Sequence, residues 1–258
     1  MNFAKQHDQN NPLLIANVWD AASAVAAQKA GYQALGTSSA AIAAILGYED
    51  DQSLSFDELL YIVRRIKAVT NLPLSVDMEA GYGDSAAEIT ANLIRLVELN
   101  VVGVNLEDSR VVDRVRKLDN AEAFANKLKM IRTALDREGS TLFLNIRTDT
   151  YLLNHEQALE ETLLRGERYK AAGADGLFVP GLTAEQEMAI ISRHVGLPLN
   201  VMCMPDLPSF ARLKHAGVSR ISMGNFVHCA VQRTFENFML AIQSQQTFAG
   251  VFSDESSQ

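Results

Sequence analysis

Three short stretches in the middle of this sequence carry residue types and spacings that could do chemistry together. Asp77 and Glu79 stand two apart in Ser75-Val76-Asp77-Met78-Glu79, and Asn105 and Glu107 two apart in Asn105-Leu106-Glu107-Asp108. Asn145, Arg147 and Asp149 repeat the spacing in Asn145-Ile146-Arg147-Thr148-Asp149. On an extended strand, residues two apart share a face. If those faces point to one interior, Asp77, Glu79 and Glu107 converge, and like charges taken out of water together must be neutralised. A divalent cation does this economically. The donors are oxygens with no His or Cys nearby, which selects a hard ion, Mg²⁺ or Mn²⁺, over zinc. Magnesium keeps several waters, so some of these carboxylates would act through water. Arg147 then becomes the planar fork for a substrate carboxylate. The plainer reading of a strand-end Asp is a helix cap or a turn, and it covers Asp84 and Asp108. Capping does not require three inward acids. Arg147 has a plainer reading too, as a partner for those acids alone.

The elements that must position these residues are legible as an alternation. Apolar runs at Leu13–Val18, Ala34–Ser38, Leu72–Met78, Gly103–Glu107, Leu142–Thr148, Gly176–Val179, Leu197–Met202 and Arg220–Met223 are short and end in turn signals, as parallel strands buried on both faces do. Between them, Phe56, Leu59, Leu60, Val63 and Ile66 recur at helical spacing, as do Ile89, Leu93, Leu96 and Val97, and Leu159, Leu163, Leu164 and Tyr169. Gly31, Gly139, Gly173, Gly196 and Gly217 follow helical patterns as C-caps, and Pro73 and Pro198 open strands. Eight such units in 258 residues predict an α/β protein with one (β/α)8 barrel domain over residues 1–258, of which about 243–258 form a C-terminal tail. A doubly wound sheet would need a Gly-rich loop after the first strand, where Trp19-Asp20-Ala21-Ala22-Ser23 has no glycine. In a barrel the C-terminal strand ends carry the chemistry, and the acids lie there.

The net charge of -8 argues against nucleic acid or an anionic membrane as partner, since both are bound through dense positive charge. It leaves room for a small anionic carboxylate substrate, because one arginine or a bound cation reverses the field inside a pocket. Cys203 and Cys229 form no disulfide framework and no zinc motif. Met1 to Asn11 lacks an apolar signal region and no run is long enough to span a bilayer, so the expected location is cytoplasmic. Of the histidines, His155, His194 and His215 fall on helices or their ends, whereas His228 follows the last strand closely enough to approach the barrel mouth.

Asp77-Met78-Glu79-Ala80-Gly81-Tyr82-Gly83 resembles the magnesium-site signature of the isocitrate lyase/phosphoenolpyruvate mutase superfamily. Glu107-Asp108 is similar to its strand-4 pair and Arg147 to its strand-5 arginine. Upstream, Asn17-Val18-Trp19-Asp20-Ala21 resembles the first strand end, and Gly36-Thr37-Ser38-Ser39 the loop that receives the substrate carboxylate. Leu46-Gly47-Tyr48-Glu49-Asp50 is similar to the segment that brings Asp50 to the metal, and Leu199-Asn200-Val201 is a later match. The resemblance, from about residue 12 to about 240, implies a Mg²⁺ site (Mn²⁺ as the alternative) of Asp50, Asp77, Glu79 and Glu107. It further implies a catalytic set of Arg147, Glu107 and Asp50, with substrate bound by Trp19, Thr37, Ser38, Ser39, Asp77, Arg147 and Asn200. The implied activity is lyase chemistry on a small α-oxo or hydroxy acid through a pyruvate-enolate-like intermediate. The alternatives are phosphorus–carbon chemistry, as a phosphonopyruvate hydrolase or phosphoenolpyruvate mutase, and a non-catalytic oxo-acid binding protein. The implied assembly is a homo-oligomer, a tetramer or dimer, with a C-terminal helix, here Val227–Ile242, exchanged between subunits; packing of that helix on its own barrel accounts for its apolar residues equally well. The chain departs from the lyase pattern at Ser109–Leu118. A catalytic Cys and a His would stand there, and the segment instead carries Arg110, Arg114, Arg116 and Lys117, read as a basic loop or an anion clamp.

Overall fold

A computed structural model describes residues 3–49 and 53–252. Each apolar run becomes a strand, and the first becomes two. β1 (Leu13–Leu14) and β2 (Ala16–Val18) are halves of the expected Leu13–Val18 strand, parted at Ile15, whose N–H donates to the Ile221 carbonyl at 2.9 Å. The remaining barrel strands are β3 (Leu35–Thr37), β4 (Leu74–Asp77), β5 (Gly103–Glu107), β8 (Phe143–Arg147), β9 (Gly176–Phe178), β10 (Leu199–Met202) and β11 (Val218–Ser222). Their order is β1-β11-β10-β9-β8-β5-β4-β3-β2, with every pair parallel. Because β1 lies on β11 and β2 on β3, one segment joins both edges and the sheet curls back on itself as a (β/α)8 barrel.

The connecting helices begin where their caps put them. Asp20 caps α1 (Ala21–Lys29), Ser38 caps α2 (Ser39–Ile45) and Asn120 caps α5 (Ala121–Arg137). Ser55 with Glu58 and Ser85 with Glu88 form reciprocal capping boxes on α3 (Phe56–Lys67) and α4 (Ala86–Val97). α6 (Ala158–Ala171), α7 (Glu185–Val195) and α8 (Phe210–His215) complete the ring. The five expected glycine caps all have positive φ. Leu59, Val63, Ile66, Leu93, Val104 and Leu144 are among the buried residues of the layer between helices and sheet. No helix of the described residues is long and apolar enough to cross a membrane.

Two features depart from the alternation. Ser109–Leu118 is a β-hairpin, β6 (Ser109–Val112) antiparallel to β7 (Val115–Leu118), standing over the barrel mouth. Its two central residues, Asp113 and Arg114, have φ of 52° and 62°, the left-handed conformation of a tight two-residue hairpin turn. Such turns usually advertise themselves by a glycine, which this one lacks. The second feature is α9 (Phe226–Gln245), which runs past the expected Ile242 and is followed by a 3-10 turn at Ala249–Phe252. His228 is its only buried residue, so packing on its own barrel does not account for Val231, Phe235 and Phe238.

Inside the barrel the residues form layers set by strand register. Phe3, Leu13, Ile15, Ala34 and Phe143 close the N-terminal end. His7 joins them, stacked on Phe143 with ring centroids 4.1 Å apart and Nδ1 on the Phe3 carbonyl at 3.1 Å. Burial, and secondarily the positive charge of Arg220, pull the His7 pKa down to about 3, so it is neutral in the fold. The unfolded chain takes up this proton near pH 6.5 and the folded chain does not, so the stabilisation is complete above pH 6.5 and lost as pH falls toward 3. His7→Phe should therefore flatten the acid side of the stability curve by about 1.4 kcal/mol per pH unit, read as urea midpoints of variant and parent at pH 7 and pH 4.5. Parallel curves for the two proteins would mean that His7 takes up its proton in the folded state.

Candidate active site

Register carries the chemistry to one end of the barrel. Asp77 pairs with Asn105 and Asn105 with Asn145, while Glu107 pairs with Arg147, so the inward side chains of β4, β5 and β8 rise to the C-terminal mouth together. Glu107 is buried there. Arg147 Nη1 lies 3.0 Å from its Oε2, and the same guanidinium grips Asp149 through Nε at 2.6 Å and Nη2 at 3.1 Å. Arg116, turned inward from the hairpin, bonds Glu107 from the other side, reaches Ser109 Oγ at 3.1 Å and comes within 3.6 Å of Asp149. Two guanidiniums thus cover two buried carboxylates. Burial still pushes the Glu107 carboxyl above the usual range, against the pull of Arg147 first and Arg116 second.

Asp77 is held differently. Ser39 Oγ donates to its Oδ2 at 2.9 Å, and its own N–H donates to Thr37 Oγ1 at 2.8 Å. Its other oxygen, Oδ1, is buried with no hydrogen-bond partner among the described residues. An acceptor left open in the interior costs free energy unless something occupies it. Glu79 comes to the site by a route that strand alternation does not describe. β4 ends at Asp77, and the chain turns at Met78–Gly81 with Glu79 at φ 47°, its carbonyl receiving the Glu107 N–H at 2.9 Å. Tyr82, also left-handed at φ 56°, sets its phenol nearby, kept protonated by burial and then by the charges of Glu79 and Asp77.

Ser38 and Ser39 lie at the start of α2, where Ser38 accepts the Ala41 N–H at 3.3 Å. Trp19, just beyond β2, packs edge-on against His228 at 4.8 Å between ring centroids. Asn200 sits lower, its amide spent within the barrel: Nδ2 donates to the Val201 carbonyl at 2.7 Å and to Ser222 Oγ at 3.1 Å, and Oδ1 accepts from Asn145 at 3.0 Å. Asp50 lies outside the described residues. Among the described residues no group of three or more His, Cys, Asp or Glu side chains is placed to hold a metal ion between them. The donor set could hold a hard cation taken directly on Asp77 Oδ1, with Glu79 and Glu107 acting through its water shell. A cavity of about 680 Å³ opens beside Glu79 and Glu107 toward Arg110, Asp119 and Lys127.

Asp108, which a cap or turn would explain from sequence, does stand at the bend between β5 and β6, but its side chain does more than turn the chain. Its buried carboxylate accepts from Thr148 Oγ1 at 2.7 Å, the Asp149 N–H at 3.2 Å, Arg165 Nη1 at 2.8 Å and Tyr169 Oη at 2.7 Å. Arg165 Nη2 also holds the Asp119 carbonyl at 3.0 Å, where the hairpin returns to the barrel. This network ties the ends of β5 and β8 and the base of the hairpin to α6. Arg165 and Tyr169 are four apart on α6, and that spacing opposite Glu107-Asp108 is the signal that could have found them. Arg116 had no such signal, because only the hairpin's turn decides which basic residue faces inward.

The family model described as phosphoenolpyruvate phosphomutase matches residues 3–243. The chain is 33% identical to the 2-methylisocitrate lyase of Escherichia coli over 180 residues, covering 68% of this chain and 60% of that one. It is 28% identical to the oxaloacetate decarboxylase of Pseudomonas entomophila over 228 residues, covering 86% of this chain and 77% of that one. A crystal structure from Burkholderia cenocepacia, provisionally described as a phosphonomutase, superposes with a TM-score of 0.86 at 34% identity, covering 92% of this chain and 97% of that one.

The Asp108–Arg165 pair gives a direct test of the site's support. Removing one partner of a buried, hydrogen-bonded pair leaves an uncompensated charge and typically costs about 3–5 kcal/mol. Arg165→Met is expected to lose that much in urea unfolding at pH 7, and Asp108→Asn in the same background to recover part of it. A variant as stable as the parent would show that the pair supports nothing.

Proposed function

Since the chain belongs to the phosphoenolpyruvate phosphomutase family, within the isocitrate lyase/phosphoenolpyruvate mutase superfamily of lyases and mutases, we propose that it is a Mg²⁺-dependent lyase. It would cleave a carbon–carbon bond in a small α-oxo or hydroxy carboxylic acid. The observation that carries this reading is Asp77 Oδ1, a buried acceptor without a partner among the described residues, set at the barrel mouth beside a charged arginine. When bound, Mg²⁺ would supply Lewis acidity to the oxo and carboxylate oxygens of the substrate. The chain's residues do the rest. Three of the five N–H donors of Arg147 are engaged by Glu107 and Asp149, which fix its plane and leave donors for a substrate carboxylate. Thr37 and Ser39 orient Asp77, and Trp19 with His228 walls the opposite side of the mouth.

The hairpin narrows the reaction. Ser109–Leu118 contains neither Cys nor His, so it offers no thiol or imidazole to carry a proton. Loss of CO₂ from a carboxylate β to the oxo group needs none at the bond-breaking step. The electron pair of the breaking C–C bond passes to the oxo-acid fragment as an enolate, CO₂ departs, and the enolate then takes a proton from water. Decarboxylation of a four-carbon oxo diacid is the favoured case, in keeping with the likeness to the Pseudomonas decarboxylase. One observation favours phosphorus–carbon cleavage instead: Arg116 adds a second guanidinium beside Arg147, and the Burkholderia likeness points the same way. Pyruvate with CO₂ from oxaloacetate, or pyruvate with phosphate from phosphonopyruvate, separates the two; a protein that binds oxo acids and turns over neither is the third outcome.

Assembly belongs to the same reading. α9 carries Val231, Phe235 and Phe238 into solvent, with Phe235 57% exposed, and a second copy of the chain is its proposed cover. Phe235→Ser with Phe238→Ser should convert a homo-oligomer to monomers by light scattering; an unchanged mass would reject this helix as the interface.

Oxalate mimics the enolate and should raise the melting temperature only with Mg²⁺ present, by mass action on the folded state. Asp77→Ala should abolish that rise while the ligand-free protein still melts cooperatively. Arg147→Lys should weaken oxalate binding about tenfold or more, because the planar fork is lost. No rise with oxalate and Mg²⁺ would falsify the reading; a rise that persists in Asp77→Ala would move the metal elsewhere.

A further inference from the structure

Below the acids the barrel holds a residue that the site as described does not use. Arg220, on β11, is only 2% exposed and among the largest fully buried side chains of the chain. Its register partner is Asn200, which places it on the inward face. Its Nη2 makes two long contacts across the barrel, to Ser75 Oγ at 3.3 Å and Asn105 Oδ1 at 3.4 Å. Nε and Nη1 have no hydrogen-bond partner among the described residues. Ser75 precedes Asp77 by two on the same strand face, and Asn105 pairs with Asp77 in register, so the guanidinium stands one layer beneath that carboxylate.

The charges around Arg220 leave it one direction in which to act. Below it lie Phe3 and Phe143 of the apolar plug and the neutral His7. Above it, Asp77 is the opposite charge that it feels. Burial pulls the Arg220 pKa down to about 9, so it remains a cation at pH 7. A buried cation with open donors and no carboxylate bonded to it among the described residues is a poor way to stabilise a fold, and an apolar residue of similar volume often does as well or better. Low-dielectric walls make its field reach further than it would in water.

We propose that Arg220 is a positioning residue of this site, the charged floor that opposes a cation on Asp77 and draws an anionic oxo acid to the mouth. The inference rests on the proposed function. It recognises the substrate by charge through Asp77 and its neighbours, not by contact. The field weakens the metal site while it is empty of substrate and favours it once the anion has arrived, so cation and anion enter as a pair.

The experiment is calorimetry on the full chain. Mg²⁺ alone is titrated into the parent, Arg220→Met, Arg220→Gln and Arg220→Lys, and oxalate is then titrated into each at saturating Mg²⁺. Arg220→Met is expected to bind Mg²⁺ about tenfold more tightly and oxalate about tenfold more weakly, and to melt at or above the parent temperature without ligand. Arg220→Gln, which keeps a polar head among Ser75 and Asn105, should show the same opposite shifts, while Arg220→Lys should restore both affinities toward the parent. Opposite shifts with rescue by lysine are not what loss of packing produces, since misplacement of Asp77 would weaken both ligands together. Neutral variants that match the parent in both affinities overturn the inference and leave the functional reading standing. A parent that binds neither Mg²⁺ nor oxalate removes the functional reading first. Failure of both neutral variants to fold also overturns the inference, because Arg220 would then be structural.

Discussion

Charge balance in a confined, water-poor space is the constraint on which this mouth is built. Asp77, Glu79, Glu107, Asp108 and Asp149 approach one end of the barrel, and no carboxylate is left ionised in such a place without compensation. The compensation is divided by neighbourhood. Arg165 serves Asp108 from the helix ring, Arg147 and Arg116 serve Glu107 and Asp149 from strand and hairpin, and serine and threonine hydroxyls serve Asp77. Asp77 is left with hydroxyl partners and one open oxygen among the described residues, which is why the proposed cation is placed on it and not on the more crowded Glu107.

The same accounting explains why the hairpin belongs to the site. Without Arg116, Arg147 alone would face Glu107 and Asp149. The hairpin itself is mostly exposed, and two of its side chains bind it to the barrel interior: Arg116 on Glu107, and the buried Ser109, whose hydroxyl donates to Asp149 Oδ2 at 2.5 Å. The network beneath, from Asp108 through Arg165 to the Asp119 carbonyl, then fixes where it departs and returns.

How much of this could be read in advance follows from the range of the interactions involved. Barrel strands and their helices were legible because burial on both faces and helical periodicity are local patterns. The convergence of Asp77, Glu107 and Arg147 followed from strand phase. Glu79 followed for an incomplete reason: it is presented by a left-handed turn beyond the strand, a conformation that its own side chain does not announce. The hairpin was hidden because an Asp-Arg pair at its turn carries no glycine. Arg220 was in plain view as a cation in the last apolar run, but nothing local says that its partners stand across the barrel at positions 75 and 105. Asn200, placed at the substrate by resemblance, has its amide hydrogen-bonded within the barrel.

The hairpin leaves and rejoins the barrel within a single neighbourhood: the Asp119 N–H meets the Asp108 carbonyl at 2.7 Å, while the Asp119 carbonyl is held by Arg165. The ten residues between those two anchors therefore form an insert whose ends stay put whatever lies between them. Such a segment can be exchanged, lengthened or shortened without disturbing the register of β5 and β8, since loop length itself costs little once the ends are pinned. The hairpin is thus a separable part of the mouth, replaceable as one cassette provided that its replacement again sets a cation opposite Glu107 and Asp149.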